Sequence, residues 1–194
     1  MAAPPTCSLE RVIHSGEGIL PDFGQEPPPH MHKPIDLGIL RVPQYSDHDV
    51  ASPLHLRLMR NDHANHWWLE WPVGTDQDHH VTRVNDAVRR LQVVQERCHE
   101  HLTNWGGITV ISTDDLPSVE PGCAIFVGDM DLVQRQALER IAVAEPVMVP
   151  DGEWNCQNWA VSVLQKAVDA GLLDRAAVDD AVKRALAVPT LRSQ

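Results

Sequence analysis

Apolar positions along the chain fall into short runs of two different periods, separated by proline- and glycine-rich breaks. Over His55–Met59 and the residue before it, Leu54, Leu56 and Leu58 alternate with His55, Arg57 and Met59, the period of a half-buried strand. His66–Val73 (HWWLEWPV) is rich in aromatic side chains and ends at Pro72 and Gly74, again as a strand does. Alternation there puts His66, Trp68 and Glu70 on one face, and Trp67, Leu69 and Trp71 on the other. Arg11–His14, Leu37–Val42, Ile108–Ile111 and Ala124–Val127 read as further strands.

Other segments follow the helical period. Val84, Val88, Leu91, Val94, Cys98 and Leu102 keep one stripe, which predicts a helix from about Asn85 to Leu102. Asp131–Val143 opens on Asp131 as N-cap and is closed by Pro146, and Asn155–Ala170 runs from an Asn cap to Gly171. Asp174–Ala187 begins at another acidic cap and ends before Pro189. The order of strands, helix, strands and helices lacks a strict β-α-β alternation. It predicts an α+β domain with a mostly antiparallel sheet packed against helices. One domain is expected over residues 1–194, with 1–8 a disordered tail and 25–34 (QEPPPHMHKP) a proline-rich loop.

Composition then limits the chemistry. The chain has 194 residues, 43% of them hydrophobic, enough for a real core. Its 16 basic and 27 acidic side chains leave a net charge of −11, which argues against a nonspecific grip on DNA. MAAPPTCSLERV does not read as a secretory signal, and no run approaches the roughly 18 apolar residues of a membrane span, so a cytoplasmic protein without a span is expected. Cys7, Cys98, Cys123 and Cys156 form no CxxC pair and read as free thiols. Glycine-rich nucleotide loops, G-x-S-x-G and H-E-x-x-H are all missing, and no cofactor is expected. Nor is a metal. Cys98, His99 and His101 would not share one helical face, and His63-x-x-His66 lacks further ligands at a fixed spacing.

The most informative segment is Asp151–Leu173, DGEWNCQNWAVSVLQKAVDAGLL. With Asn155 as N-cap, Cys156 stands in the first helical turn, where unpaired N–H groups and the helix dipole favour a thiolate. Trp159, Ala160, Val163, Leu164 and Ala167 continue its stripe, so the thiol points at the sheet, as in cysteine hydrolases. A cysteine on an apolar stripe is more often a small core residue. Here Asn155, Gln157 and Asn158 surround it with polar groups where a plain core helix would tolerate apolar ones.

An early strand bearing His66-Trp67 and a late Asn155-Cys156-Gln157-x-Trp159 at a helix start resemble the circularly permuted papain-like fold. The relevant families are the permuted NlpC/P60 type, including the lecithin:retinol acyltransferase-like and PPPDE-type cysteine peptidases, and small fungal proteins sharing an N-C-Q-x-W helix. The likeness covers roughly residues 55–173. It implies His66 as base and Cys156 as nucleophile, with His80 or His79 as the orienting third group and Glu70 or Asp78 as alternatives. Trp68 and Trp154 are candidates to line a substrate pocket with Glu70 and Asn155.

The function expected is acyl transfer through a Cys156 thioester on an amide or ester, with a small molecule, peptide or acyl donor as partner. Water or an amine would accept the acyl group. A fungal cyclodipeptide synthase drawing on aminoacyl-tRNA is one alternative, disfavoured by the net charge of −11. A noncatalytic binding module on the same scaffold is the other.

Overall fold

A computed structural model describes residues 47–73, 87–95, 102–111, 123–148 and 153–193. Among the described residues, five strands come first: β1 (Ser52–Met59), β2 (His66–Val73), β3 (Ala87–Gln95), β4 (Leu102–Ile111) and β5 (Ala124–Met130). Three helices follow: α1 (Leu132–Ala144), α2 (Cys156–Asp169) and α3 (Arg175–Leu186), with a short 3-10 turn at Leu191–Ser193. The strands form one antiparallel sheet in the order β4-β3-β2-β1-β5, which makes the protein α+β. Among the described residues, no helix is long and apolar enough to cross a membrane.

The alternation in β1 and β2 decides the layering. Leu56 and Leu58 pair in register with β2, opposite Leu69 and Trp67, and Leu54 stands opposite Gly128 of β5. Together with Leu91, Val93, Ile125 and Val127 these apolar side chains form an inner face closed to solvent. Each such side chain withdrawn from water stabilises the fold by about 1.5–3 kcal/mol. The helices cover this face, α1 against β4, α2 against β2 and β3, and α3 against β5. Trp159, Ala160, Val163, Leu164 and Ala167 of α2 are buried with Cys156, so the stripe in the sequence is the one that packs.

All three helices start where the capping residues put them, at Asp131, Asn155 and Asp174. Gly171 follows α2 at φ +71°, a conformation costly to any residue with a Cβ. A second positive-φ glycine, Gly106 (φ +62°), marks a bulge in β4. Between Leu91↔Gly107 and Val93↔Asn104, two steps on β3 are matched by three on β4.

One expected helix is not there. The segment read as helical from Asn85 to Leu102 contains β3, and Leu102 opens β4; the intervening residues 96–101 lie outside those described. The three-residue spacing of Val88, Leu91 and Val94 imitates a helical stripe. What wins is hydrogen bonding to two neighbouring strands and partners for both arginines. Arg89 is ion-paired to Glu139 of α1 on the inner side, while Arg90 meets Glu70 on the other. Cys98, read as a core residue of that helix, and the strands at 11–14 and 37–42 also fall outside the described residues.

Before β1, residues 47–50 are fastened to α1 by Arg135, a fully buried guanidinium. It donates to Asp47 through Nε and Nη2, and to the carbonyls of His48, Val50 and Met130. Asp47 also accepts from the indole of Trp71 at 2.9 Å, which ties the same segment to the core of β2.

Candidate active site

The start of α2 is set by a reciprocal cap. The Asn155 side chain accepts from Gln157 N at 2.8 Å, and the Asn158 side chain accepts from Asn155 N at 2.9 Å. This fixes Cys156 as the first helical residue, facing the beginning of β2. Its Sγ lies 4.0 Å from the carbonyl oxygen of Asn65, and Gln157 Nε2 donates to that same oxygen at 2.8 Å. Asn65 is itself held from behind. Its side chain donates to Val188 O at 2.8 Å, while Arg60 Nε reaches Pro189 O and Leu191 N reaches Asn61 O. The β1–β2 turn is therefore clasped between the first turn of α2 and the segment following α3.

The thiol is only 8% exposed. Burial pushes its pKa above the ordinary thiol value, against the smaller pull of the backbone N–H groups of Trp67, Cys156 and Gln157. The depressed pKa expected from the helix start is thus corrected, because loss of hydration outweighs the helix end. The resting group is a neutral thiol.

His66, the first residue of β2, belongs to the other side of the sheet. Its ring is 5.6 Å from that of Trp68, and its side chain bonds Gln92. Burial lowers its pKa; the Gln92 bond opposes this and the Arg90 charge adds to it. The imidazole is consequently neutral at pH 7. Cys156 approaches the strand backbone on both sides of this residue, at Asn65 and Trp67, but thiol and imidazole are not hydrogen-bonded to each other.

The outer face is polar yet largely closed. Glu70, 3% exposed, accepts from Trp68 Nε1 at 2.6 Å and pairs with Arg90 through Nε (3.1 Å) and Nη2 (3.0 Å). Arg57 Nε stands 2.7 Å from its other oxygen, and the Arg90 guanidinium lies 4.7 Å from the centre of the Trp68 ring. Trp68 and Glu70 do share His66's face, as the alternation requires, but both are engaged in this cluster. Asn155 is committed to the helix cap, and Trp154 packs half-buried against the core. Asp78, His79 and His80 lie outside the described residues.

The structure adds Asn65, Arg57 and Arg90 to the residues that sequence reasoning singled out. Arg57 was legible as a polar position of β1. Its neighbourhood to Trp68 depends on strand register, as does that of Arg90 to Glu70. Cys123 is a buried thiol of the core whose carbonyl accepts from Leu58 N. Among the described residues, no three His, Cys, Asp or Glu side chains gather as metal ligands would. No protein-family model matches the chain, and no curated protein or solved structure shows significant similarity to it.

Proposed function

We propose that the protein is a thiol-dependent acyl-transfer enzyme, with Cys156 as nucleophile and His66 as base. The observation that supports this reading is the approach of Sγ to the backbone on both sides of His66, at Asn65 and Trp67. The thiol thereby lies beside the backbone that flanks His66, a residue 90 positions away in sequence, while the His66 ring is on the opposite face of the sheet. Both groups rest neutral, which suits general-base attack in place of a preformed ion pair. As Sγ bonds to the carbonyl carbon of an amide or ester, its proton passes to the imidazole. The leaving amine or alcohol takes that proton when the tetrahedral intermediate collapses to a thioester. Water or an amine then releases the acyl group, and backbone N–H groups at the start of α2 are the available oxyanion donors. The reading requires the His66 ring to leave Gln92 and turn about the end of β2 toward the thiol.

A specific observation favours a second reading, a noncatalytic binding module. The thiol is buried, and the imidazole is occupied by Trp68 and Gln92. Alkylation by iodoacetamide from pH 5 to 9, mapped residue by residue, separates the two. An assisted thiol labels well ahead of the likewise buried Cys123, by more than their small difference in exposure explains, and its rate levels off once the imidazole has lost its proton, below pH 7. His66→Ala then slows it by about a hundredfold. An unassisted thiol gains reactivity all the way through pH 9, and His66→Ala leaves it unchanged. That second pattern would sink the enzyme reading.

A further inference from the structure

The outer face carries a charge arrangement that the thiol chemistry does not use. Strand register lines up Phe126, His55, Glu70, Arg90 and Ile108 across all five strands, with Arg57 and Trp68 in the adjoining row. Among the described residues, two guanidiniums here contact a single carboxylate, that of Glu70. His55 and His66 add no positive charge, because burial holds both below the ordinary histidine pKa. Asp129 reaches His55 through space but pairs with neither arginine. In a chain of net charge −11, two arginines sharing one directly bonded carboxylate stand out locally as a place for an anion.

The hydrogen bonds are distributed unevenly as well. One oxygen of Glu70, Oε2, accepts from Trp68 Nε1 and Arg90 Nε and stands in ion-pair contact with Arg90 Nη2. Its partner Oε1 lies beside Arg57 Nε at 2.7 Å, yet that N–H is not aimed at it and finds no acceptor although buried. Among the described residues, the Arg57 guanidinium makes no hydrogen bond at all; its only tie is the charge contact with Glu70. A buried donor left unmatched is costly, and native structures usually provide it with a partner. Arg57 and Arg90 each keep about a quarter of their side chains exposed, at 23% and 24%, so a solute can reach them. The Arg90 guanidinium also rests over the Trp68 ring, a cation–π contact that helps hold it in place.

We propose that Arg57 and Arg90 bind an oxyanion, the carboxylate or phosphate group of a small molecule, on the outer face of the sheet. Arg57 supplies the outer Nη edge of its fork, Arg90 the second positive charge, and Glu70, in contact with both, holds the two guanidiniums apart. The site needs no thiol and stands independently of the acyl-transfer reading.

The test is titration calorimetry of the full chain with sodium acetate and with sodium phosphate, against sodium chloride at matched ionic strength. Saturable binding of at least one oxyanion beyond chloride is expected, and the tighter of the two identifies the group. Arg57→Gln weakens it by about tenfold or more, and Arg57→Lys, which keeps charge but loses the fork, falls between. If Arg57→Gln does not fold, Arg57→Lys carries the comparison. Binding no better than chloride, or equal binding by the folded variants and the natural chain, overturns the proposal. Cys156 enters none of these measurements, so this site and the thiol chemistry fail or stand separately.

Discussion

The two faces of the sheet are built from the same strands by opposite means. On the inner face, Leu56, Leu58, Trp67, Leu69 and Trp71 meet α2 through Trp159, Val163 and Leu164, and shape decides the fit. On the outer face, the intervening residues Arg57, His66, Trp68 and Glu70 meet Arg90 and Gln92 of β3, and charge and hydrogen bonding decide it. An apolar face tolerates any side chain that fills the space, at a cost set by the void left behind. A closed polar face is satisfied only when each donor and charge has a partner, and removing one member strands the others. The inner face therefore carries most of the stability, while the outer face has groups left over for a ligand.

Cutting a hole in the inner face has the largest expected effect. Trp159 of α2 is wholly buried, with its indole N–H 3.5 Å from Glu145 O. Trp159→Ala is expected to cost about 3–5 kcal/mol in urea unfolding, with an unchanged denaturant slope. A loss below about 1 kcal/mol would mean that α2 does not rest on the sheet as described.

Removing the hub of the outer face comes next. Glu70→Ala leaves two guanidiniums without their counter-charge and the N–H groups of Trp68 and Arg90 without their acceptor, for a loss of about 2–3 kcal/mol, moderated because both arginines reach solvent. The sharper measurement is the apolar replacement of all three charges together, Glu70→Leu with Arg57→Met and Arg90→Met. If the cluster acts by mutual satisfaction, the triple variant recovers most of the loss. A triple variant weaker than Glu70→Ala would show instead that the ion pairs are themselves strongly stabilising.

How much of this was legible in the chain follows from the same contrast. The face of each residue in β1 and β2, the three helix caps and the packing stripe of α2 all follow from local periodicity and capping chemistry, and these appear as expected. Register does not. The pairing of Glu70 with Arg90 depends on which residues of β2 and β3 face each other, and a single sequence leaves that open. The same blind spot turned β3 into a helix, because Arg89 and Arg90 look like surface positions until their partners on opposite sides of the sheet are known. The helix-start argument for Cys156 failed on burial. It counted the N–H groups correctly, but did not count the β1–β2 turn that closes on the thiol through Asn65.

The smallest expected effect is a slope, and it too separates the faces. His55 and His66, both on the outer face, have folded pKa values below the ordinary 6.5, with burial as the leading cause. The folded state then binds protons less readily than the unfolded one, so stability is full above pH 6.5 and declines as pH falls below it toward the folded values. Cys156 behaves in the opposite sense. Its pKa is raised from 9.0, so its contribution is present at neutral pH and is lost as pH climbs past 9.0. Urea midpoints are therefore expected to be highest between about pH 7 and 9 and to drop on both sides. His66→Gln keeps a polar group near Gln92 but cannot titrate, and it should flatten the acid limb between pH 5 and 6.5 while leaving the alkaline limb alone. Cys156→Ser should do the reverse. Parallel acid limbs in the natural chain and His66→Gln would mean that the imidazole is not shielded from solvent on the outer face, and its neutrality would no longer support a role as base.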